Sequence, residues 1–169
     1  MIKEISQEEI EKILPHRGKA LLIHRESRVI YDSTDPDKLL LHKYVAIDDP
    51  VFEGHFPSKP LYRGVDLIEC CAQASIVLAY QKFFKNSDFK GIPVFRGITG
   101  PVDFMRPIGP GEFIQIEVEY VAAITEMRRD FFVFNAQVLK IDVVDKKLGK
   151  LAAIINGITG TIVEIQNKK

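Results

Sequence analysis

A histidine, a glycine and a glutamate that could together move protons stand close in this sequence: His55, Gly64 and Glu69. His55 sits between Gly54 and Phe56-Pro57, in a loop beside apolar residues. A neutral imidazole, with a pKa of about 6.5, is the usual base at neutral pH. A lone histidine in such a loop is more often a structural group bonded to a backbone carbonyl. Gly64 stands where the most apolar helical run begins. The first N–H groups of a helix are unpaired and carry partial positive charge, so they can hold a carbonyl oxygen that becomes an enolate. A glycine there also serves as a plain helix cap. Glu69, between Ile68 and Cys70, falls in the second turn. Apolar burial would favour its neutral form and make it a proton donor. A glutamate on the wet side of the helix is the alternative. Asp66 shares a face with Glu69. It either raises the Glu69 pKa by like charge or simply complements the helix dipole. Gln73, one turn beyond Glu69, could orient it or bond a neighbouring loop. A base, an oxyanion donor and an acid together point to proton removal beside a carbonyl, and with a leaving hydroxyl to dehydration of a 3-hydroxyacyl compound.

The elements that must hold these residues are legible in the periodicities. Ser6 with Glu9 three residues on forms a capping box for a short helix to about Leu14. Apolar and strand-like segments follow over 20–31 and 39–47, with a turn cluster over 33–37 and a break at Asp48-Asp49-Pro50. The loop over 54–64 carries Gly54, Pro57, Pro60 and Gly64, a composition that makes it rigid. From Val65 to about Phe84 apolar residues occupy nearly every face, the mark of a buried helix. Strands are expected over 91–104, interrupted by Gly97, Gly100 and Pro101, and then over 113–121, 131–144 and 151–165. Turns are expected over 125–130 and 145–150. In the 113–121 strand Ile114, Ile116, Val118 and Tyr120 alternate with Gln115, Glu117 and Glu119, which predicts one buried face. One buried helix followed by long antiparallel strands predicts an α+β hot-dog fold, a curled sheet wrapped around the helix. Such a sheet covers part of the helix, so a dimer partner is expected to cover the rest.

The totals exclude several classes. At 169 residues the chain reads as a single domain over 1–169, large enough for a core without disulfides or metal. Lys and Arg equal Asp and Glu at 23 each, so there is no global pull towards nucleic acid or an anionic membrane. Cys70 and Cys71 are adjacent on the helix and point about 100° apart. They read as small buried residues of a reducing compartment. The opening residues lack a signal-peptide pattern and no apolar run is long enough to span a bilayer, so a cytoplasmic location is expected.

Three blocks in order then carry a resemblance. Leu14-Pro-His-Arg17, with Leu21-Leu-Ile-His-Arg25 after it, is similar to the opening LPHR…LLVDR of the FabZ-type 3-hydroxyacyl-acyl-carrier-protein dehydratases. Gly54-His-Phe-Pro57, Pro60, Gly64-Val65, Ile68-Glu69 and Ala72-Gln73 resemble the central signature of that family. Phe104-Met-Arg-Pro with Pro110-Gly111 resembles its FRRPVxPGD. The resemblance implies a hot-dog hydro-lyase without metal or cofactor, acting on a (3R)-hydroxyacyl thioester of acyl carrier protein in fatty-acid or related lipid or polyene synthesis. It implies His55 as base, Glu69 as acid, and the N–H of Gly64, with Val65, as the thioester-binding group. It implies a homodimer whose subunits share each site, extensible to a trimer of dimers, and a tunnel along the helix for the acyl chain. The related FabA dehydratase–isomerases carry Asp where this chain has Glu69.

The departures cluster near the site. Tyr62-Arg63 stands where the family has Met-Pro, Asp66 replaces an apolar residue, and His24 replaces an aspartate. Gly18-Lys-Ala replaces an aromatic-Pro-Phe. Phe95 falls near the position of a tunnel-gating tyrosine in some members. Tyr62, Arg63, Phe95 and Phe104 are therefore expected at the tunnel or its mouth, recut for an acyl substrate outside the standard saturated series. Lys59, Arg63, Arg96 and Arg106 are candidates for meeting an acidic carrier protein. His16 reads as structural, tying Arg17 to the N-terminal segment. A hot-dog thioesterase and a non-catalytic carrier-binding protein are the competing classes.

Overall fold

The computed structural model describes residues 1–24, 26–86, 91–126, 129–142 and 147–164. Eight strands and two α-helices follow in the order β1 (Ile2–Ile5), α1 (Gln7–Ile13), β2 (Ser27–Asp32), β3 (Lys38–Tyr44), α2 (Gly64–Ala79), β4 (Gly91–Ile98), β5 (Val102–Phe104), β6 (Phe113–Glu126), β7 (Arg129–Asp142) and β8 (Lys147–Glu164). One antiparallel sheet runs β1-β2-β3-β6-β7-β8-β4, with β5 also on β8. Its concave side wraps α2, giving the hot-dog fold. The turns expected over 125–130 and 145–150 are corrected in their described parts, where long-strand pairing continues. Thr125 and Glu126 belong to β6, Arg129 and Asp130 to β7, and 147–150 to β8, while 127–128 and 143–146 lie outside the described residues. Arg25, Ser87 and the ends of the second and third long strands at 143–144 and 165 lie outside them too.

The alternation read in β6 sets the core. Ile114, Ile116 and Val118 are fully buried, opposite Lys140, Val138 and Ala136 of β7. They meet Leu67, Cys70, Cys71, Ala74, Val77 and Leu78 of α2 in one apolar cluster. Truncating a buried leucine such as Leu78 to alanine costs about 2–5 kcal/mol. Ser6 caps α1 as expected, its Oγ accepting from the Glu9 N–H at 3.2 Å. Both cysteines are free and buried, and burial pushes the Cys70 thiol up to about 11.

The helix differs from its expected form at both ends. Its first turn is open rather than buried, with Val65 67% exposed. Its last turn widens at Tyr80–Phe84, where the Lys85 N–H reaches back to the Tyr80 carbonyl at 2.9 Å. The widened turn lays Phe83 flat on Phe132, ring centroids 4.9 Å apart. In the sheet, β1 is a strand where the charged opening had suggested none. Strand β3 stops at Tyr44, and the Val45 N–H turns to the Glu112 carbonyl.

A bulge holds the break between β4 and β5. Gly157 has φ 71° and donates its N–H to Asn135 Oδ1 at 3.0 Å. A side chain there would meet Thr99 Oγ1 at 2.4 Å, so only glycine fits. The chain over Thr99–Pro101 tucks against this bulge and feeds Phe104 towards the start of α2.

Candidate active site

The loop before α2 fixes His55 by two bonds to one residue. The Leu61 N–H donates to the His55 carbonyl at 2.7 Å, and His55 Nδ1 donates to the Leu61 carbonyl at 3.0 Å. A carbonyl can only accept, so Nδ1 carries the proton and the neutral ring has its lone pair on Nε2. The ring also stacks on Phe56, centroids 4.2 Å apart. The bland reading, a histidine bonded to a backbone carbonyl, and the base reading thus describe one geometry, because that bond sets the tautomer a base needs.

His55 lines a cleft with Gly64, Val65, Phe104 and Arg106. The N–H groups of Gly64 and Val65 open α2 and donate to no carbonyl among the described residues. Phe104 lies across this helix entrance. A Cβ at Gly64 would sit 2.7 Å from the Phe104 Cζ, so glycine is what allows the ring to approach. Tyr62 lines the cleft from the core side and is buried, its N–H donating to the Ile108 carbonyl at 2.8 Å. Its hydroxyl is buried without a partner among the described residues, and burial raises its pKa.

Glu69 does not line this cleft in the single chain. It belongs to a second cluster one turn along the helix. Gln73, fully buried, donates from Nε2 to Glu69 Oε1 at 2.9 Å and to the Ala20 carbonyl at 2.7 Å, while its Oε1 accepts the Leu22 N–H at 2.9 Å. Both roles weighed for Gln73 are therefore filled at once. His16 brings Nε2 within 3.4 Å of the same Glu69 oxygen. Its Nδ1 is buried and unpartnered among the described residues. The expected tie between His16, Arg17 and the N-terminal segment runs through the backbone, the Arg17 guanidinium donating to the carbonyls of Glu11, Leu14 and His16, while the His16 imidazole faces the acid. Of the two alternatives for Glu69, an apolar enclosure and the wet side of the helix, the single chain shows a partly open carboxyl, its side chain being 40% exposed.

Asp66 is engaged by its neighbour. Arg63 grips it with two bonds, Nε–Oδ2 at 2.6 Å and Nη2–Oδ1 at 3.0 Å, so two of the departures from the family pattern compensate each other. A third is also explained. His24 Nε2 faces the ammonium of Lys43 at 2.9 Å, and that ammonium also donates to the Leu22 carbonyl at 3.0 Å. Lys43 is only 1% exposed, so the imidazole serves as a neutral acceptor for a buried cation. Burial, then the nearby Lys43 charge, lowers the His24 pKa.

Phe95 is not at the His55 cleft. It lines an apolar slot between α2 and the sheet, together with Ala72, Ile76, Phe132 and Gly160. Of the basic candidates, Arg63 and Arg106 line the cleft, Lys59 is exposed on the loop, and Arg96 lies over the Phe131 ring at 4.5 Å. His42 bonds Gln115 across β3 and β6 at 2.9 Å. The contacts of His16 and His24 were missed from sequence because they join segments far apart in the chain. The Arg63–Asp66 pair had a local signal, opposite charges three residues apart at a helix start. Among the described residues no cluster could hold a metal ion, and no helix is long and apolar enough to cross a membrane.

Helix, wrapped sheet and loop together define a hot-dog domain. Solved structures support that class. The acyl-CoA hydrolase of Staphylococcus aureus bound to coenzyme A aligns over 79% of this chain and 67% of its own, with TM-score 0.54 and 20% identity. The PaaI protein of Escherichia coli aligns over 77% and 79%, with TM-score 0.50 and 15% identity. At such identities the likeness is one of fold. Sequence goes further. The FabA-like domain matches residues 14–146, and the chain belongs to that family. Its relatives include the 3-hydroxyacyl-acyl-carrier-protein dehydratase FabZ of Teredinibacter turnerae, 37% identical over 79% of this chain and 85% of the relative. The FabZ of Myxococcus xanthus is 38% identical over 67% and 70%.

Proposed function

We propose that this domain is a hydro-lyase. It converts a (3R)-hydroxyacyl thioester on acyl carrier protein to the trans-2-enoyl thioester and water, in fatty-acid synthesis or a related lipid or polyene pathway. The observation that carries the proposal is the His55 tautomer, fixed beside the open N–H groups of α2, in a chain of the FabZ-containing family.

The chemistry follows from these placements. The thioester carbonyl oxygen accepts from the Gly64 N–H at the positive end of α2, with Val65 beside it. His55 Nε2 removes a C2 proton, and the charge that develops on the oxygen is held by that N–H. The Glu69 carboxyl gives its proton to the C3 hydroxyl, the C3–O bond breaks, and water leaves as the C2–C3 double bond forms. His55 is then protonated and Glu69 ionised, and a proton passes back before the next turnover. Gln73 fixes the carboxyl and the N-terminal segment together. No metal or cofactor takes part.

Since His55 and Glu69 line different surfaces of one chain, the working unit is a homodimer in which one subunit's base meets its partner's acid. Support comes from the free edge of the sheet, where β4 exposes Ile92, Val94 and Phe95, and from the exposed Val65 and Phe104 at the site. A trimer of dimers is compatible with this edge. The carrier protein approaches over Arg63 and Arg106. Buried free thiols suit a reducing cytoplasm.

The test is subunit exchange. His55→Ala and Glu69→Gln each abolish hydration of a crotonyl thioester while leaving a folded dimer. Mixing the two under exchange restores part of the activity, because one of the two sites in a mixed dimer is intact. No recovery after proven exchange contradicts the shared site.

A further inference from the structure

A line of hydrogen bonds runs from Glu69 through Gln73 and Leu22 to a buried cation, Lys43. Gln73 holds the Glu69 carboxyl, the Ala20 carbonyl and the Leu22 N–H with the carbonyl and both N–H bonds of one amide. The Leu22 carbonyl, on the next peptide, accepts from the Lys43 ammonium at 3.0 Å. Lys43 is 1% exposed, and its other partner among the described residues is His24 Nε2, at 2.9 Å. Neither partner is a carboxylate, so the cation is held by two neutral acceptors.

His24 meets a donor on each side. The Lys43 ammonium faces Nε2, and the Glu26 N–H lies 3.4 Å from Nδ1. A neutral imidazole offers one lone pair, and the nearer contact, at Nε2, takes it. A second proton would give the ring two N–H groups with an acceptor at neither, beside an ammonium 2.9 Å away. The carboxylates of Glu26 and Asp49 act on the ring only at a distance. Lys19, Asp48, Arg63 and Asp66 line the same open groove as the ring, from which protons reach it. Asp49 is bonded to the Val51 N–H and Asp66 to Arg63, so both are committed elsewhere.

We infer that Lys43 and His24 are positioning residues for Glu69, and that protonation of His24 on acidification frees the acid from its working place while the fold persists. The inference rests on the dehydratase reading of Glu69. Imidazolium and ammonium repel at this distance, so one of them swings away. Loss of the ammonium strips the Leu22 carbonyl of its donor, and a shift of Leu22 passes to Gln73 and so to the carboxyl. Burial, then the Lys43 charge, lowers the His24 pKa. The acid is therefore held at and above the ordinary imidazole value of about 6.5, and is freed as pH falls through the lower folded value. An aspartate in this place, as in the family pattern, would keep its charge and its hold on the ammonium over the same range.

The experiment follows kcat for hydration of a crotonyl thioester by the full chain between about pH 5 and 8, a range that spans the ordinary imidazole titration. Wild type, His24→Asp and His24→Gln are compared. His55, the base, takes up one proton in acid in all three. In wild type His24 takes up a second, so log kcat falls with a slope approaching about two. Both variants keep an acceptor that does not titrate in this range, so their slope stays near about one. Their advantage over wild type grows by about tenfold per pH unit below the His24 titration, with KM little changed. In parallel, NMR of the wild type reads the His24 ring and the Gln73 side-chain amide. The Gln73 signals move with the His24 titration, and that movement is absent in His24→Gln. Should neither variant fold, the wild-type spectra decide alone. Gln73 signals that stay fixed while His24 titrates, or parallel kcat profiles in folded variants, overturn the inference. Hydration absent at every pH overturns the dehydratase reading, while the spectra still decide whether His24 and Lys43 hold Glu69.

Discussion

Gln73 joins Glu69 to the backbone of Ala20 and Leu22, so the carboxyl of the helix and the segment after the Leu-Pro-His-Arg motif are held by one buried amide. Replacing Gln73 by leucine leaves the Leu22 N–H and the Ala20 carbonyl without their partner. Each unsatisfied buried group costs about 1–3 kcal/mol. Gln73→Leu is expected to lower the melting temperature and to reduce kcat by about tenfold to a hundredfold with KM little changed, since the acid is misplaced rather than the substrate lost. A fall in stability with kcat intact would reduce Gln73 to a structural brace.

The same Leu22 peptide meets the buried Lys43–His24 pair, and this pair makes stability depend on pH. The groups facing His24 are Lys43, Glu26 and Asp49, and burial with the Lys43 charge lowers its pKa. Between the depressed folded value and the unfolded value of about 6.5 the unfolded chain binds more protons, so stability rises with pH. The His24 contribution is present above about pH 6.5 and is lost as pH falls through the folded value. His24→Asp places a carboxylate against the ammonium and is expected to flatten the melting-temperature curve between about pH 5 and 7. Equal slopes for variant and wild type would exclude His24 as the source.

Arg63 and Asp66 form an exposed pair at the mouth, and such pairs contribute about 0–1 kcal/mol. Arg63→Ala is expected to change stability by less than about 1 kcal/mol. It should raise KM for the carrier-bound substrate and leave KM for the same acyl group on free pantetheine unaltered. Equal rises in both would assign Arg63 to the acyl group instead of the carrier.

Gly64 and Phe104 are tested as a couple. Gly64→Ala forces the Phe104 ring from the helix entrance and is expected to lower kcat/KM by about tenfold, a displacement effect. Adding Phe104→Ala returns most of the loss if the clash is the cause. No recovery indicates that the alanine itself disturbs the thioester-binding N–H.

Much of the fold was legible because its signals are local. Ser6 and Glu9 mark the start of α1, and the alternation from Ile114 to Tyr120 marks the buried face of β6. The short strand Ile2–Ile5 was hidden, since four residues of mixed charge carry too little alternation. The widened turn at Tyr80–Phe84 was hidden too, because an unbroken apolar pattern says nothing about which carbonyl each N–H will reach. At the site, the residue types and the three family blocks were visible in the chain. The pairings of Glu69 with His16, and of His24 with Lys43, were not, because they depend on segments that meet only in the folded molecule. Tyr62 was expected at the mouth for its place in the signature, yet its ring packs inward against Phe52, 6.2 Å away.

The most direct measurement follows the absorbance of a crotonyl thioester on acyl carrier protein with the purified wild-type chain while free thiol is assayed in parallel. The expected result is loss of the enoyl absorbance with formation of the 3-hydroxyacyl thioester and no thiol released, abolished by His55→Ala. Thiol release without hydration, or carrier binding with no reaction at all, would contradict a hydro-lyase built on His55 and Glu69.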